Sequence, residues 1–264
     1  MSIDPVRHGP WAVVAGASEG TGAAFAHQLA GAGLNLVLVA RRAEPLHRTA
    51  EAVRVHEVEV VELAVDLTRP SSVPAIVEAA AGREVGLLVV NAGANSHGHE
   101  FLDGRLDGFG RVVDLNVTAP LALVHHFGQA MRARRRGGIV LVGSLAGYLG
   151  AAGQSVYAAA KAFSRIFAES LWLELRAHEV DVLHLVLGVT RTPAMVRAGL
   201  NLDLPGLEVA EPEDVVREGL ARLADGPVWV AGGNDPAVEL RSGADRARLV
   251  LGGHEAMQRL LPKS

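Results

Sequence analysis

The chain has 264 residues, 49% hydrophobic and 20% charged, with a formal net charge of −4 and no cysteine. That much apolar material suits one large core rather than disorder, interspersed acids and bases leave no basic footprint for nucleic acid, and disulfide and thiolate chemistry are excluded. No apolar run approaches the roughly 18 residues of a membrane span and no cationic, then apolar leader is read at the start, so a cytoplasmic protein of a single domain is expected.

In chain order, the apolar run 11–15 ends in glycines and precedes helical periodicity over 23–29. The run 34–39 ends at Arg41-Arg42, and a second helical segment reaches about residue 56. Short β-branched runs recur at 58–65, 87–90, 139–142 and 180–187, with helices predicted over 71–81, 108–134, 154–177 and 211–224. Such runs lack polar alternation, as strands covered on both faces do. Strand followed by helix, six or seven times over, implies a doubly wound (Rossmann-type) α/β fold: a parallel sheet of about seven strands with helices on both faces. The arginine-rich run 132–136 reads as a solvated helix end beside Gly137-Gly138. Segment 191–209, rich in Pro, Gly and Leu, lies beyond a strand's C-terminal end, where open α/β sheets bind ligands, and is expected to form a lid. A helical tail is expected over 235–264.

After the first run stands Gly16-Ala17-Ser18-Glu19-Gly20-Thr21-Gly22. Glycines let a backbone approach a pyrophosphate closely, and the following helix offers free N–H groups to its charge. A plain turn would use the same residues; the strand, glycine loop, helix context favours a dinucleotide. At the end of the second strand an acid binds the ribose hydroxyl of NAD, whereas an arginine accommodates the 2′-phosphate of NADP. Arg41 and Arg42 therefore point to NADP(H); the alternative is two solvated arginines at a strand end. Glu19 is an awkward neighbour for a phosphate.

Together with this loop, Asp66, Asn91-Ala92-Gly93, Asn116, Ser144 and Tyr157-x-x-x-Lys161 follow in order. This series resembles the short-chain dehydrogenase/reductase family, over about residues 11–192. The resemblance implies that Asp66 meets the adenine amino group, that Asn91 holds cofactor and central strand, that Thr192 bonds the nicotinamide carboxamide, and that Asn116, Ser144, Tyr157 and Lys161 are catalytic. The cofactor-binding set it implies also takes in Ser18, Glu19, Thr21, Leu67, Gly188 and Val189. It suggests a homodimer or homotetramer.

Residues i and i+4 share a helix face, so Tyr157 and Lys161 are neighbours. A phenol titrates near 10 in water, and a nearby ammonium is expected to lower that value into a usable range. Tyr157 would then give a proton to the oxygen of a ketone receiving hydride, with Ser144 bonding that oxygen; oxidation is the reverse. No metal is needed where hydrogen bonds polarise the carbonyl, and the eleven histidines suggest no ligand set. Tyr148 lacks a lysine at i+4 and, with Leu145, Leu149 and Gln154, is expected to line the substrate pocket. The apolar lid side chains Met195, Val196, Leu200, Leu202, Leu204 and Leu207 hint at an apolar carbonyl or alcohol substrate. The rival expectation is a non-catalytic NADP-binding sensor on the same fold. Leu187-Gly188 stands where the family often has Pro-Gly, and the chain continues some thirty residues past Gly233 where many relatives end.

Overall fold

The computed structural model describes residues 3–204 and 207–260, so parts of the expected lid (205–206) and tail (261–264) lie outside the described residues. In chain order the elements are α1 (Pro5–His8), β1 (Trp11–Ala15), α2 (Gly20–Gly31), β2 (Asn35–Ala40), α3 (Ala43–Arg54), β3 (Val60–Ala64), α4 (Ser72–Ala79) and β4 (Val85–Val90). Then follow α5 (Leu106–Val113), α6 (Ala119–Arg134), β5 (Gly137–Ser144), α7 (Ser155–Leu175), β6 (Val180–Leu187), α8 (Pro193–Arg197), α9 (Pro212–Ala221), β7 (Val228–Val230), α10 (Asp235–Arg241) and α11 (Arg246–Leu260).

The strands form one parallel sheet in the order β3-β2-β1-β4-β5-β6-β7. Val13 of β1 lies opposite Val37 of β2 on one side and Leu88 of β4 on the other. Because side chains alternate across a strand, each apolar run serves two cores. Val14, Leu38, Val89 and Leu185 pack beneath Phe25 and Leu29 of α2 and Val216 of α9. Val13, Val39, Leu88 and Leu141 pack on the other face with Leu123 and Met131 of α6 and Ala168 of α7. This double burial is why the strands read as continuous apolar sequence. Each fully buried aliphatic side chain contributes roughly 1.5–3 kcal/mol, so the sheet is a rigid base for the loops at its C-terminal edge.

The expected helix over 108–134 is three pieces: α5, a wide π-helical turn over Asp114–Thr118, and α6. Pro120 has no N–H to give the Asn116 carbonyl, and the Asn116 side chain donates to the Val112 carbonyl at 2.9 Å. Both disturb the regular ladder at the same place, and π turns of this kind recur at functional sites. The lid segment contains α8 and is closed at its base by a bridge between Thr190 and Ala210. Leu202 turns inward and is buried. The tail helices pack back on the turn after β5: Arg241 Nη1 donates to the Leu145 carbonyl at 2.8 Å and Arg246 Nη2 to that of Tyr148 at 3.0 Å.

Candidate active site

Strand order reverses between β1 and β4, and the crevice at such a switch point is where doubly wound sheets take ligands. Here it opens into a cleft of about 680 Å³ running along the C-terminal ends of the strands, within the size range of cofactor sites.

At its centre lies the glycine loop. Gly16 and Gly20 have φ of +92° and +55°, a region that side chains with a Cβ avoid. A Cβ on Gly16 would stand 2.6 Å from the Ala92 nitrogen, and one on Gly22 1.8 Å from the Gly16 carbonyl oxygen. Gly22 therefore does not line the cleft; it lets α2 dock on the loop. Asn91 clamps the assembly, donating from Nδ2 to the Gly16 carbonyl and accepting from Thr21 Oγ1, each at 2.8 Å. No side chain caps the start of α2, so its first turn presents backbone donors suited to a pyrophosphate. Ser18, Thr21, Asn91, Ala92 and Gly93 all line this stretch.

One end of the cleft holds Arg41, Arg42, Asp66 and Leu67. Burial works to raise the Asp66 pKa, but hydrogen bonds from the Thr68 N–H (3.0 Å) and Oγ1 (2.9 Å), with Arg41 and Arg69 nearby, leave it below the usual value. Asp66 is thus an anion held ready to accept a hydrogen bond. Glu19 is shared between Arg42 and Arg197 of α8, which answers the awkwardness of a carboxylate near a phosphate site.

The other end holds Ser144, Tyr157 and Lys161; Gly188 and Thr192 also line the cleft, Thr192 standing beside the glycine loop, where a Cβ on Gly20 would come within 2.9 Å of its Cγ2. Ser144 ends β5, and Tyr157 and Lys161 face it from the first turns of α7, where Ala158 and Ala160 are buried and allow close packing. Lys161 is buried, donates to the Val142 carbonyl at 3.0 Å, and lies 5.7 Å from the Tyr157 ring centroid. Asn116 sits behind it and is buried; its Nδ2 also reaches the Ala94 carbonyl at 3.1 Å, while its Oδ1 has no partner. A Cβ on Gly93 would come within 2.7 Å of Lys161 Nζ and 2.8 Å of Asn116 Oδ1. The three residues thus converge, and the orphan oxygen beside an ammonium leaves a polar position to be filled.

One expectation is corrected here. Burial pushes the Tyr157 phenol above its ordinary pKa, with a hydrogen bond to Ser144 working against it; the ammonium does not prevail in the chain by itself. Lys161 in turn is pushed down to about 8 by burial, because an ammonium loses hydration that one carbonyl does not replace. Below it, His184 of β6 shares a 2.8 Å hydrogen bond with Ser164 Oγ. Burial, then the charges of Lys161 and Arg165, lower its pKa to about 3, so it stays neutral.

None of the four residues expected to line the substrate pocket, Leu145, Tyr148, Leu149 and Gln154, lines this cleft. Leu145 turns into the core, the Tyr148 ring is covered by the Arg165 guanidinium at 5.0 Å, and Gln154 precedes α7 as its cap residue. Val189 also stands outside, its carbonyl accepting from the Ala210 N–H at the base of the lid. Of the apolar lid residues named from sequence, Met195 alone reaches the cleft. Thr190, Ser96, Arg111 and Arg197, not anticipated, do line it; none stands in a spacing that distinguishes it from an ordinary loop or helix residue. His47, Glu51 and Glu62 bring ligand atoms within 4.8 Å of one another outside the cleft, but Arg54 bridges both acids.

Comparison with known proteins supplies the context. The model of the short chain dehydrogenase family matches residues 10–201. A 7beta-hydroxysteroid dehydrogenase from Collinsella aerofaciens is 29% identical over 235 residues, covering 86% of this chain and 87% of its own. A very-long-chain 3-oxoacyl-CoA reductase from Podospora anserina is 32% identical over 222 residues, 82% of this chain and 64% of the relative. Among solved structures, one from work on 7beta-hydroxysteroid dehydrogenase stereoselectivity superposes with a TM-score of 0.87 at 26% identity, covering 96% of this chain and 99% of that one. A short-chain dehydrogenase from Sphingobium yanoikuyae in complex with NADPH gives 0.77 at 30% identity, with 97% of both chains covered. The matched span, the parallel sheet and the ordered motifs agree: this chain belongs to the short-chain dehydrogenase family of oxidoreductases.

Proposed function

We propose that this protein is an NADP(H)-dependent oxidoreductase interconverting a ketone and a secondary alcohol, with Tyr157 as the acid/base. The observation that carries the reading is one cleft with Ser144, Tyr157 and Lys161 at one end and Arg41 and Arg42 at the other. When bound, the cofactor supplies or accepts a hydride at nicotinamide C4. The uncapped start of α2 would take the pyrophosphate, Asp66 the adenine amino group, and Thr192 the carboxamide. Relatives solved with NADPH or NADP support the phosphorylated cofactor.

The chain's own part is proton chemistry and orientation. Ser144 Oγ would donate to the carbonyl oxygen and fix its position against Tyr157. In reduction Tyr157 O–H gives its proton to the developing alkoxide, so the alcohol gains hydride on carbon and a proton on oxygen. The phenolate left behind sits beside Lys161, whose ammonium stabilises it in the transition state even though burial disfavours charge in the resting site. An ammonium with a pKa near 8 also gives up its proton readily near neutral pH, and the free Asn116 Oδ1 offers an acceptor to a water that would connect Lys161 with solvent.

The relatives named for hydroxysteroids and very-long-chain oxoacyl-CoA support a bulky, largely apolar substrate, as does Met195 on the lid side. We infer that the chain works as one domain and, with no cysteine, in the cytoplasm. Among the described residues no helix is long and apolar enough to cross a membrane. The test is turnover of NADPH with a panel of bulky ketones by the wild type and Tyr157→Phe: ketone-dependent oxidation by the first and its loss in the second are expected, and equal rates would overturn the reading.

A further inference from the structure

Glu19 lies in the glycine loop immediately before α2, where a phosphorylated ligand must approach. Two guanidinium groups, one from the end of β2 and one from the lid, meet its carboxylate. Arg42 Nη2 donates to Oε2 at 2.6 Å from the end of β2. Arg197, the last residue of α8, donates from Nη1 to the same oxygen at 3.0 Å and from Nη2 to Oε1. All three side chains line the cleft. Glu19 is only 25% exposed, against 52% for Arg197.

A forked guanidinium matches a carboxylate or a phosphate with two parallel bonds. Arg42 is needed for both, and serving the phosphate leaves Glu19 as an anion beside a dianion. Arg41 has no salt bridge of its own among the described residues, yet one guanidinium offsets little of that repulsion. Arg197 is the group that resolves the conflict, because its two bonds hold Glu19 without help from Arg42. Its hydrogen bond is also the largest influence keeping the Glu19 pKa low, ahead of opposing burial and of Arg42.

We infer that Arg197 is a specificity-determining residue for the phosphorylated cofactor: by neutralising Glu19 it releases Arg42 to join Arg41 on the ribose 2′-phosphate, and it ties the lid to the glycine loop in doing so. The inference rests on the NADP(H) reading above and names the lid's part in it. It makes cofactor choice a property of three segments, the glycine loop, the end of β2 and the lid, rather than of the β2 end alone. It also explains how a chain with a carboxylate at position 19 can accept a cofactor carrying an extra phosphate.

Dissociation constants for NADPH and NADH, read by titrating the fluorescence of the reduced cofactors with protein, test it without reference to turnover. Arg197→Ala should weaken NADPH binding about tenfold, the scale of one charge pair at a binding site, while NADH changes by less than about twofold. Arg197→Lys, which keeps the charge, should keep most of the preference. Glu19→Gln on the Arg197→Ala background should restore NADPH binding, which a merely structural role for Arg197 would not allow. Equal weakening of both cofactors, or failure of Glu19→Gln to rescue, would overturn the inference. A wild-type chain that binds NADH as tightly as NADPH would instead overturn the cofactor reading beneath it, a result read before any variant is made.

Discussion

At the scale of single residues, Lys161 carries the clearest physical consequence. Its pKa falls from 10.5 to about 8 on folding, so between those values the unfolded chain binds a proton that the folded chain does not. Stability therefore rises as pH climbs from 8 to 10.5, by on the order of 3 kcal/mol for a group so fully buried. Denaturant unfolding across that window should show the wild type gaining on Lys161→Met; parallel curves would mean that the ammonium keeps its solvation. The proposed catalytic set was legible in sequence through the family resemblance and, for its helical pair, through spacing: four residues on a helix put Tyr157 and Lys161 on one face, and Ser144 ends the preceding strand. The environment was not legible. Whether burial or an ammonium governs the phenol depends on where Lys161 Nζ points, and it points at Val142. Arg197 was not legible for a related reason, since its carboxylate partner Glu19 lies 178 residues away.

Among the elements, β6 and the turn around Asn116 say most. His184 of β6 packs so tightly that a Cβ on Gly143 would stand 2.2 Å from its ring. With its pKa lowered to about 3 by burial first and neighbouring cations second, His184 is neutral when folded but protonates below about 6.5 once unfolded. Its contribution is present above pH 6.5 and is lost progressively as pH falls toward 3. The acid limb of stability against pH should be shallower in His184→Asn than in the wild type, as measured by unfolding between pH 6.5 and 4; identical slopes would place the acid sensitivity elsewhere. Strand and helix types were legible because doubly buried strands and amphipathic helices have different periods. The break of the 108–134 helix was half legible: Pro120 stands four residues after Asn116, and the carbonyl it leaves without a helical donor marks the wide turn. The placement of the tail was not legible, because Arg241 and Arg246 find backbone carbonyls, which any residue supplies.

For the molecule as a whole, the parallel sheet reverses order between β1 and β4 and so collects six strand ends along one cleft. Those loops hold most of the motif residues, and Tyr157 and Lys161 on α7 and Asn116 in the wide turn before α6 face them, which is why motifs scattered from residue 16 to residue 192 converge. The family's expected homo-oligomer has a candidate surface on the far side of α7, where Ile166 is 51% exposed and Leu173 62% exposed, with Val113 and Leu121 exposed on α5 and α6. Light scattering after size exclusion should give a dimer or larger for the wild type and a monomer for Ile166→Glu with Leu173→Arg; an unchanged mass would move the interface to another face. In the proposed reaction the Tyr157 phenol hands a proton to a carbonyl receiving hydride. Steady-state NADPH oxidation with a bulky ketone, compared between wild type and Tyr157→Phe at matched cofactor saturation, tests it most directly: kcat/KM should fall by about 10² to 10⁴ while NADPH affinity is retained, and a variant that keeps wild-type kcat/KM would contradict it.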